Sequence, residues 1–323
     1  MKAIVRAKYG SPDVLELKEV EKPTPKDDEI LIKVHAASLN AYDWHMLTAD
    51  MFPVRLMGGG LLKPKKKILG ADVAGRVEAV GRNVTQFRPG DDVFGDISGS
   101  GGGSFAEYAC GRENGLVSKP GHLSFEEAAA VPMAALTALQ ALRDNGRIQP
   151  GQKVLINGAS GGVGTFAVQI AKSFGAEVTA VCSAGKMDMV RSIGADQVID
   201  YTKEDFTKSG QQYDLILAAN GYHPILDYRR ALSPKGIYVV AGGSAAQLIQ
   251  GLLLGPWISK TGSKKMRGMV AKISQKDLAF IIELLEAGKI RPVIDRRYPL
   301  SEVPEALRYL GEGHARGKIV ITM

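Results

Sequence analysis

The chain has 323 residues, of which 45% are hydrophobic and 23% charged, a composition typical of a globular protein with about two domains. Its two cysteines, Cys110 and Cys182, exclude a disulfide framework and a cysteine-rich zinc site, and they favour a reducing compartment. The formal charge is +7, but the basic and aromatic residues do not form the pattern typical of RNA-binding modules. No nucleic-acid partner is therefore expected.

Three segments bear on membrane contact and targeting. The basic run at residues 63–67, KPKKK, is expected to be a solvated loop, with attraction to an anionic surface or ligand as the alternative. The longest apolar stretch, at 248–258, is too short to cross a bilayer. The N-terminus alternates like a strand and does not resemble a targeting peptide. We expect no transmembrane segment, a cytoplasmic location and, at most, peripheral membrane contact.

Short strand-like runs separated by turn residues fill the first 120 residues and predict a partly open β-barrel. They read KAIVRA, VLELKEV, EILIKVHAASL, ADVAGRVEAVG, DDVFGD and SFAEYAC. An alanine- and leucine-rich segment then predicts a helix that Ser124 caps, Pro132 interrupts and Gly146 ends.

From residue 153 onward, strand and helix patterns alternate. KVLINGA, EVTAVCS, DQVID, YDLILAAN and GIYVVAGG predict strands, with helices at 162–174, 186–193 and 224–232. This alternation predicts a doubly wound parallel sheet. Two further helices are expected at 277–287 and 302–311, and the final strand, GKIVITM, is expected to return to the barrel.

The turn after the first of these strands, GASGGVG at 158–164, fits two motifs. As G-x-S-x-G, it would present Ser160 as the nucleophile of an α/β-hydrolase, with Asp295 and His314 in the required chain order. The sequence has no matching oxyanion loop, and too few strands precede the turn. The hydrolase interpretation is therefore the weaker one.

As a near match to G-x-G-x-x-G, the same turn predicts a dinucleotide site. Gly161 and Gly162 allow the backbone to approach a pyrophosphate, and Gly164 allows the helix to pack closely on the strand. Ala159 occupies the place of the first glycine. The following strand ends without the carboxylate of NAD sites, and Ser183 and Lys186 are suited to a 2′-phosphate, which favours NADPH. The alternative for Lys186 is a solvated lysine.

Several motifs together resemble the medium-chain dehydrogenase/reductase superfamily over the whole chain. They are SLNAYDWHML at 38–47, LGADVAGRVEAVG at 69–81, RPGDDVFG at 88–95, GGGSFAEY at 101–108, LTALQAL at 136–142, SIGADQVIDY at 192–201, IRPVIDRRYPLSEVPEALRYL at 290–310 and GHARGKIVI at 313–321. The chain is most similar to the zinc-independent quinone oxidoreductase and enone reductase branch, which includes reticulon-interacting mitochondrial and chloroplast-envelope homologues. The Gly-His-Glu of the zinc enzymes reads Gly70-Ala71-Asp72 here, so no zinc is expected.

The resemblance implies an α/β architecture with a GroES-like substrate domain at 1–125, a Rossmann NADPH-binding domain at 126–269 and a C-terminal segment at 270–323 that returns to the substrate domain. It also implies a set of NADPH contacts. These are Thr137, Gly161, Gly162, Val163, Gly164, Ser183, Lys186, Tyr201, Gly221, Gly242, Gly243 and Lys318. The alternative for Tyr201 is a plain aromatic residue at a strand end, and the alternative for Lys318 is a plain lysine on the terminal strand.

The resemblance further implies hydride transfer from NADPH to a quinone or an α,β-unsaturated carbonyl, with Asn40 and Asp43 as positioning residues. Tyr42 and His45 are candidates to polarise the acceptor carbonyl or to donate a proton, and the alternatives are water as donor and structural roles for both side chains. An NADPH-binding sensor or scaffold with little activity is the alternative function. The segment Lys264–Ile273 resembles the one through which family members dimerise, so a homodimer is expected.

Overall fold

The computed structural model describes residues 1–50, 60, 62–243, 247, 250–260 and 262–323. The strands are β1 (Lys2–Arg6), β2 (Leu15–Glu19), β3 (Glu29–Leu39), β4 (Asp72–Val80), β5 (Asp92–Asp96), β6 (Tyr108–Arg112), β7 (Leu116–Ser118), β8 (Lys153–Asn157), β9 (Glu177–Cys182), β10 (Gln197–Asp200), β11 (Tyr213–Ala218), β12 (Leu232–Val240), β13 (Lys265–Gly268), β14 (Ile294–Pro299) and β15 (Lys318–Thr322). The α-helices are α1 (Ala41–Thr48), α2 (Phe125–Ala129), α3 (Pro132–Leu139), α4 (Gly162–Ser173), α5 (Met187–Ser192), α6 (Ile225–Ala231), α7 (Gly255–Lys260), α8 (Gln275–Glu286) and α9 (Val303–Gly311).

The chain divides into two compact units. The first contains residues 1–133, 273–282 and 294–323, and the second contains 134–272 and 283–293. Within the described ranges, no helix is long and apolar enough to cross a membrane. Of the apolar stretch at 248–258, residues 248 and 249 lie outside the described ranges, 250–254 form a π-helical turn and α7 follows.

The first unit is built on a seven-stranded sheet with the order β14-β15-β3-β4-β5-β7, in which β6 also pairs with β3. All its pairs are antiparallel except β14 with β15. The eleven-residue β3 pairs with three neighbours, and its mostly apolar side chains are nearly all buried. The last strand lies in this sheet, because β15 pairs with β3.

The second unit contains a six-stranded, fully parallel sheet with the order β10-β9-β8-β11-β12-β13. The central strands are almost entirely buried, which explains why their sequences are continuous apolar runs. From β8, the chain adds β9 and β10 on one side and then returns to add β11 on the other. This confirms the doubly wound sheet and places its switch point between β8 and β11.

The predicted helix at 125–146 is confirmed with internal breaks. Ser124 caps α2 through a capping box with Glu127, and α3 begins at Pro132. A π-helical turn at Gln140–Asn145 precedes Gly146. Helix α1, which follows β3 after the N-cap residue Asn40, was not predicted from the sequence.

Candidate functional site

The carboxyl ends of β8 and β11 lie side by side at the switch point of the parallel sheet, which is where sheets of this kind bind ligands. Asn157, the last residue of β8, accepts hydrogen bonds at its backbone carbonyl from the N–H groups of Ala219 and Asn220. Its side-chain amide donates to the carbonyl of Gly221 at 3.3 Å and to the hydroxyl of Tyr228 at 2.7 Å. Asn157 therefore fixes the turn after β11, where Gly221 was predicted to contact the cofactor.

The glycines of the turn after β8 have separate structural roles. Gly158 has a φ of +82°, and a Cβ there would lie 2.7 Å from the backbone nitrogen of Asn220. A Cβ on Gly164 would lie 2.1 Å from the carbonyl oxygen of Gly158. At Gly161 the nearest atom would be 3.7 Å away. Gly158 and Gly164 are therefore required by packing, whereas Gly161 leaves space beside the backbone.

The tight turn thus depends on Gly158 rather than on the position of Ala159, where the sequence analysis placed the missing first glycine. Ala159 is buried, and its N–H donates to the carbonyl of Val181 at 3.1 Å. An alanine is tolerated there because the left-handed backbone conformation occurs one residue earlier. The departure from the glycine motif therefore does not disturb the turn.

Helix α4 begins immediately after Gly161, which is its N-cap. Gly162, Val163 and Gly164 form its first turn, and the N–H of Thr165 closes onto the carbonyl of Gly161 at 2.9 Å. The N–H groups of a first helical turn and the positive end of the helix dipole attract an anion. The backbone here is suited to a pyrophosphate. Ser160, the serine of the competing motif, is only 8% exposed.

The residues predicted to distinguish the 2′-phosphate of NADPH from the 2′-hydroxyl of NADH lie at the end of the neighbouring strand, β9. Ser183 follows β9 and caps a short turn that ends at Lys186, whose N–H donates to the Ser183 carbonyl at 3.0 Å. Tyr201 follows β10, is 60% exposed and donates its N–H to the carbonyl of Cys182 at 3.2 Å. The structure therefore brings Ser183 and Tyr201 to one edge of the sheet, with Lys186 in the turn after β9.

One carboxylate at this edge was not anticipated. Asp200 ends β10 and pairs with Cys182 in the strand register. Its Oδ1 accepts hydrogen bonds from the N–H and the hydroxyl of Thr202, and these bonds hold its pKa below the usual range. Oδ1 of Asp200 is thus engaged in a turn of its own, whereas Oδ2 is buried and has no hydrogen-bond partner among the described residues. The carboxylate of NAD sites is absent from the end of β9 itself.

Three further predicted cofactor residues lie elsewhere in the second unit. Thr137 lies in α3 and is 8% exposed. Gly242 and Gly243 follow β12, where a Cβ on Gly242 would lie 2.4 Å from the Ala219 carbonyl oxygen. Gly243 has a φ of +98°. The turns after β11 and β12 therefore pack against each other at the carboxyl end of the sheet.

A buried polar cluster in the first unit contains the other candidates. The Lys318 ammonium is 1% exposed and lies 2.5 Å from Asn40 Oδ1 and 3.2 Å from Asp72 Oδ2, and it also donates to the Leu39 carbonyl. Asp72 Oδ2 further accepts from Ser38 Oγ at 2.8 Å and from the Asn40 amide at 2.9 Å. All three protons of Lys318 have acceptors inside the unit. Its ammonium is therefore buried in this cluster rather than displayed at a surface.

Asp43 continues this cluster into α1. It forms a capping box with Asn40, its Oδ2 accepts the Asn40 N–H at 2.9 Å, and its Oδ1 accepts the Gly70 N–H at 3.2 Å. Complete burial raises its pKa to about 7, and the negative charge of Asp72 adds to this effect. Burial and Asp72 likewise raise the pKa of Asp96 to about 6.

The two residues proposed to polarise the carbonyl of the acceptor substrate or to donate a proton, Tyr42 and His45, lie on α1. Tyr42 packs against the core formed by residues such as Met46 and Leu47, and burial raises the pKa of its hydroxyl to about 12. The hydroxyl therefore keeps its proton at neutral pH and can donate a hydrogen bond. His45 Nδ1 lies 2.9 Å from Asp50 Oδ1, which fixes the orientation of the imidazole.

Sequence reasoning missed Ser38, Asp72 and the helix itself as parts of this arrangement. The pair Asn40 and Asp43, spaced as a capping box, was the local signal for a helix start. The link from Asp72 to Lys318 spans 246 residues and has no local signal.

Comparison with known proteins identifies the class. Residues 26–121 match the model of the alcohol dehydrogenase GroES-like domain, and residues 193–321 match that of zinc-binding dehydrogenases. The 2-methylene-furan-3-one reductase of Solanum lycopersicum is 37% identical over 99% of this chain and 79% of its own length. The mitochondrial NAD(P)H oxidoreductase RTN4IP1 of Mus musculus is 36% identical over 100% of this chain and 89% of its own length.

A solved structure shows the same architecture. The quinone oxidoreductase from Coxiella burnetii is 31% identical and superimposes with a TM-score of 0.89, covering 100% of this chain and 99% of that one. The chain belongs to the medium-chain dehydrogenase/reductase superfamily, in its quinone oxidoreductase and enone reductase branch. The predicted family and the predicted fold class, a GroES-like unit with a Rossmann-like parallel sheet, are thus confirmed.

Proposed function

We propose that the protein transfers a hydride from NADPH to a quinone or to an α,β-unsaturated carbonyl without a metal. The observation that carries the proposal is the glycine turn at the switch point of the parallel sheet, together with the end of β9 at Cys182, which is followed by Ser183 rather than by a carboxylate. Membership of the oxidoreductase branch supports the reaction class. One relative is named as an NAD(P)H oxidoreductase, which supports the cofactor. A second is named as a 2-methylene-furan-3-one reductase and a solved structure as a quinone oxidoreductase, and these names support the two acceptor classes.

The residues of the second unit fit a dinucleotide. The open space at Gly161 and the first turn of α4 would hold the pyrophosphate. Ser183 and Lys186 would hold the 2′-phosphate, and a lysine and a hydroxyl suit a dianion better than they suit a neutral ribose hydroxyl. When bound, the reduced nicotinamide supplies the hydride.

The donor set of this chain does not fit zinc, although one matching family model is named for it. The position of the zinc-ligating histidine holds Ala71, and both oxygens of Asp72 are occupied by donors, which are Met133 N–H for Oδ1 and the cluster around Lys318 for Oδ2. No group of three metal-ligating side chains occurs in the described part of the chain. The buried ammonium of Lys318 already supplies a positive charge, which opposes a second cation. No step of the proposed reaction uses a metal.

The acceptor requires a group that stabilises negative charge on its oxygen as the hydride arrives. Tyr42 is our candidate, because burial keeps its hydroxyl protonated and α1 is held firmly at its N-terminus by the capping box. For an enone, the hydride adds to the β-carbon and a proton then adds to the α-carbon. For a quinone, the hydride and a proton together give the hydroquinone.

The test is turnover with a broad acceptor set. Purified protein with NADPH is presented with short- and long-chain quinones and with acyclic and ring enones, while NADPH binding is measured separately by fluorescence. We expect steady-state oxidation of NADPH with at least one of these quinones or enones. Tight NADPH binding without turnover of any acceptor would instead support the sensor or scaffold alternative.

A further inference from the structure

Two helical elements of the second unit lie on one face of the parallel sheet. Helix α6 lies between β11 and β12 in the chain, and a helical segment at 250–260, made of the π-helical turn and α7, lies between β12 and β13. Both connections lead in the same direction across the sheet, so right-handed crossovers place them on the same face. Their shared core shows this, because it contains Tyr228 of α6, Ile258 of α7 and Tyr238 of β12.

The two helical elements also run side by side in the same direction. Gln250, at the start of the segment, accepts the Ile225 N–H at 3.4 Å and donates to the Tyr222 hydroxyl at 3.3 Å, near the start of α6. At the other end, the Lys264 ammonium donates to the carbonyl of Arg229 at 2.9 Å. The sides of both elements that face away from the sheet therefore form one surface.

This surface carries large apolar side chains in solvent. In the segment at 250–260, Leu254 is 46% exposed and Trp257 is 67% exposed, whereas Ile258 is buried against the sheet. Leu254 and Trp257 are three residues apart and therefore lie on the same side of the helical segment. On α6, Leu226 is 61% exposed. Exposed apolar side chains grouped on neighbouring elements indicate an interaction site.

Positive charges border these apolar side chains. Residues 228–276 contain nine Lys or Arg and no Asp or Glu. Arg229 and the exposed Lys260 form no ion pair within the described ranges, and the residues outside those ranges include no Asp or Glu. The acid of α6, Asp227, is already paired with Arg230 at 3.0 Å. We define the α6–α7 surface as Leu226, Arg229, Leu254, Trp257 and Lys260.

The combination of side chains fits an anionic lipid bilayer better than it fits a protein partner. Tryptophan and leucine favour the boundary between lipid headgroups and acyl chains, while lysine and arginine are attracted to anionic headgroups. An acidic peptide would pair with Arg229 and Lys260 but would leave the apolar side chains in water. A second copy joined through the same surface would bring like charges together. Charge complementarity therefore favours the bilayer.

We propose that the α6–α7 surface docks the protein on an anionic lipid bilayer, with Trp257 inserted at the headgroup boundary and Arg229 and Lys260 facing the lipid phosphates. The surface belongs to the second unit alone, and the proposal depends neither on the acceptor nor on turnover. Docking would bring the protein to the phase in which apolar acceptors concentrate.

The first test is binding to lipid vesicles. The full chain is mixed with phosphatidylcholine vesicles that contain or lack phosphatidylserine, and bound protein is separated by flotation. We expect binding to the phosphatidylserine vesicles alone, with a loss at high salt. Trp257→Ser and Lys260→Glu should each weaken binding about tenfold. The matched controls are the exposed Leu17, as Leu17→Ser, and the exposed Lys63 of the basic run, as Lys63→Glu. Both controls should bind within about twofold of the native protein.

The second test locates the contact by fluorescence. Trp44 and Trp257 are the two tryptophans of the chain, so Trp44→Phe leaves Trp257 as the single tryptophan emitter. With phosphatidylserine vesicles its emission should shift to shorter wavelength, and brominated lipids should quench it. This measurement keeps the native Trp257, so it remains decisive if Trp257→Ser fails to fold.

Four results would overturn the proposal. The first is a native protein that does not bind anionic vesicles, and the second is binding that leaves the emission of Trp257 unchanged. The third is a loss of binding in Lys63→Glu as large as that in Lys260→Glu, which would assign the contact to the basic run. The fourth is a mass of Trp257→Ser, measured by light scattering, that is half the native mass, because a second copy would then cover the surface.

Discussion

The ammonium of Lys318, on the last strand, lies 3.2 Å from a carboxylate oxygen of Asp72, and both side chains are at most 1% exposed. Because both charges are buried, removing one leaves the other uncompensated. Lys318→Met should therefore lower the free energy of unfolding by about 3–5 kcal/mol, measured by denaturant titration. The double variant Lys318→Met with Asp72→Leu should recover part of the loss. A single variant as stable as the native protein would show that the pair contributes nothing.

The glycine turn offers a matched pair of substitutions. Gly164→Ala places a Cβ 2.1 Å from the Gly158 carbonyl oxygen, whereas the nearest atom to a Cβ at Gly161 is 3.7 Å away. Gly164→Ala should lower the thermal midpoint by several degrees because the helix must move away from the strand. Gly161→Ala should leave the thermal midpoint of the free protein unchanged but weaken NADPH binding about tenfold, because the methyl group occupies space proposed for the pyrophosphate. Unchanged NADPH affinity in Gly161→Ala would argue against a pyrophosphate at this turn.

The cofactor preference depends on Lys186. Lys186→Ala should weaken NADPH binding about tenfold and leave NADH binding within about twofold, since only the 2′-phosphate requires the cation. Lys208→Ala is the control, because that lysine is 76% exposed and paired with Asp205. Fluorescence titration with both cofactors gives the comparison. An equal effect of Lys186→Ala on NADPH and NADH would refute the assignment.

Stability should fall as the pH rises toward neutrality because of Asp43. Its pKa is raised to about 7 in the folded protein, from an ordinary value of 3.8. Between these values the folded state binds more protons than the unfolded state, so the free energy of unfolding decreases by up to about 1.4 kcal/mol per pH unit. The decrease should end above about pH 7. The free energy of unfolding, measured by denaturant titration from about pH 5 to 8, should decrease less steeply with pH in Asp43→Asn than in the native protein. The same dependence on pH in both proteins would contradict the assignment.

We also propose a homodimer formed through the edge of the parallel sheet. Strand β13 (Lys265–Gly268) is the last strand on its side and pairs only with β12 in the described sheet. Its outer edge is partly covered, because Ser259 Oγ accepts the Met266 N–H at 2.8 Å and donates to the Met266 carbonyl at 3.2 Å, so pairing with the same strand of a second copy requires Ser259 to move. Light scattering at micromolar concentration should give twice the chain mass. A monomeric native protein would exclude the dimer.

The architecture was predictable because it depends on local periodicity. The strand runs before residue 120 and the alternation after residue 153 each have a regular hydrophobic pattern, and the structure confirms both sheets. Helix α1 was missed because its eight residues mix aromatic, acidic and apolar side chains directly after a long strand. Its capping pair, Asn40 and Asp43, was noticed only for its family resemblance.

The buried cluster was not predictable, because it depends on pairing between distant segments. Lys318 reaches Asp72 only after β15 has paired with β3 and β3 with β4. Lys318 was therefore assigned to the cofactor on the strength of the resemblance, whereas the structure uses all its protons within the first unit. Likewise, the role of Gly158 became clear only from its φ and from the position of Asn220, 62 residues later in the chain.

Direct hydride transfer from NADPH to an acceptor carbon or quinone is tested with NADPH that carries deuterium at both positions of the reactive nicotinamide carbon and with an enone as acceptor, followed by mass and NMR analysis of the product. We expect one deuterium at the β-carbon, a solvent proton at the α-carbon, and no loss of rate with a metal chelator. A product without deuterium, or oxidation of NADPH that needs an added metal, would contradict it.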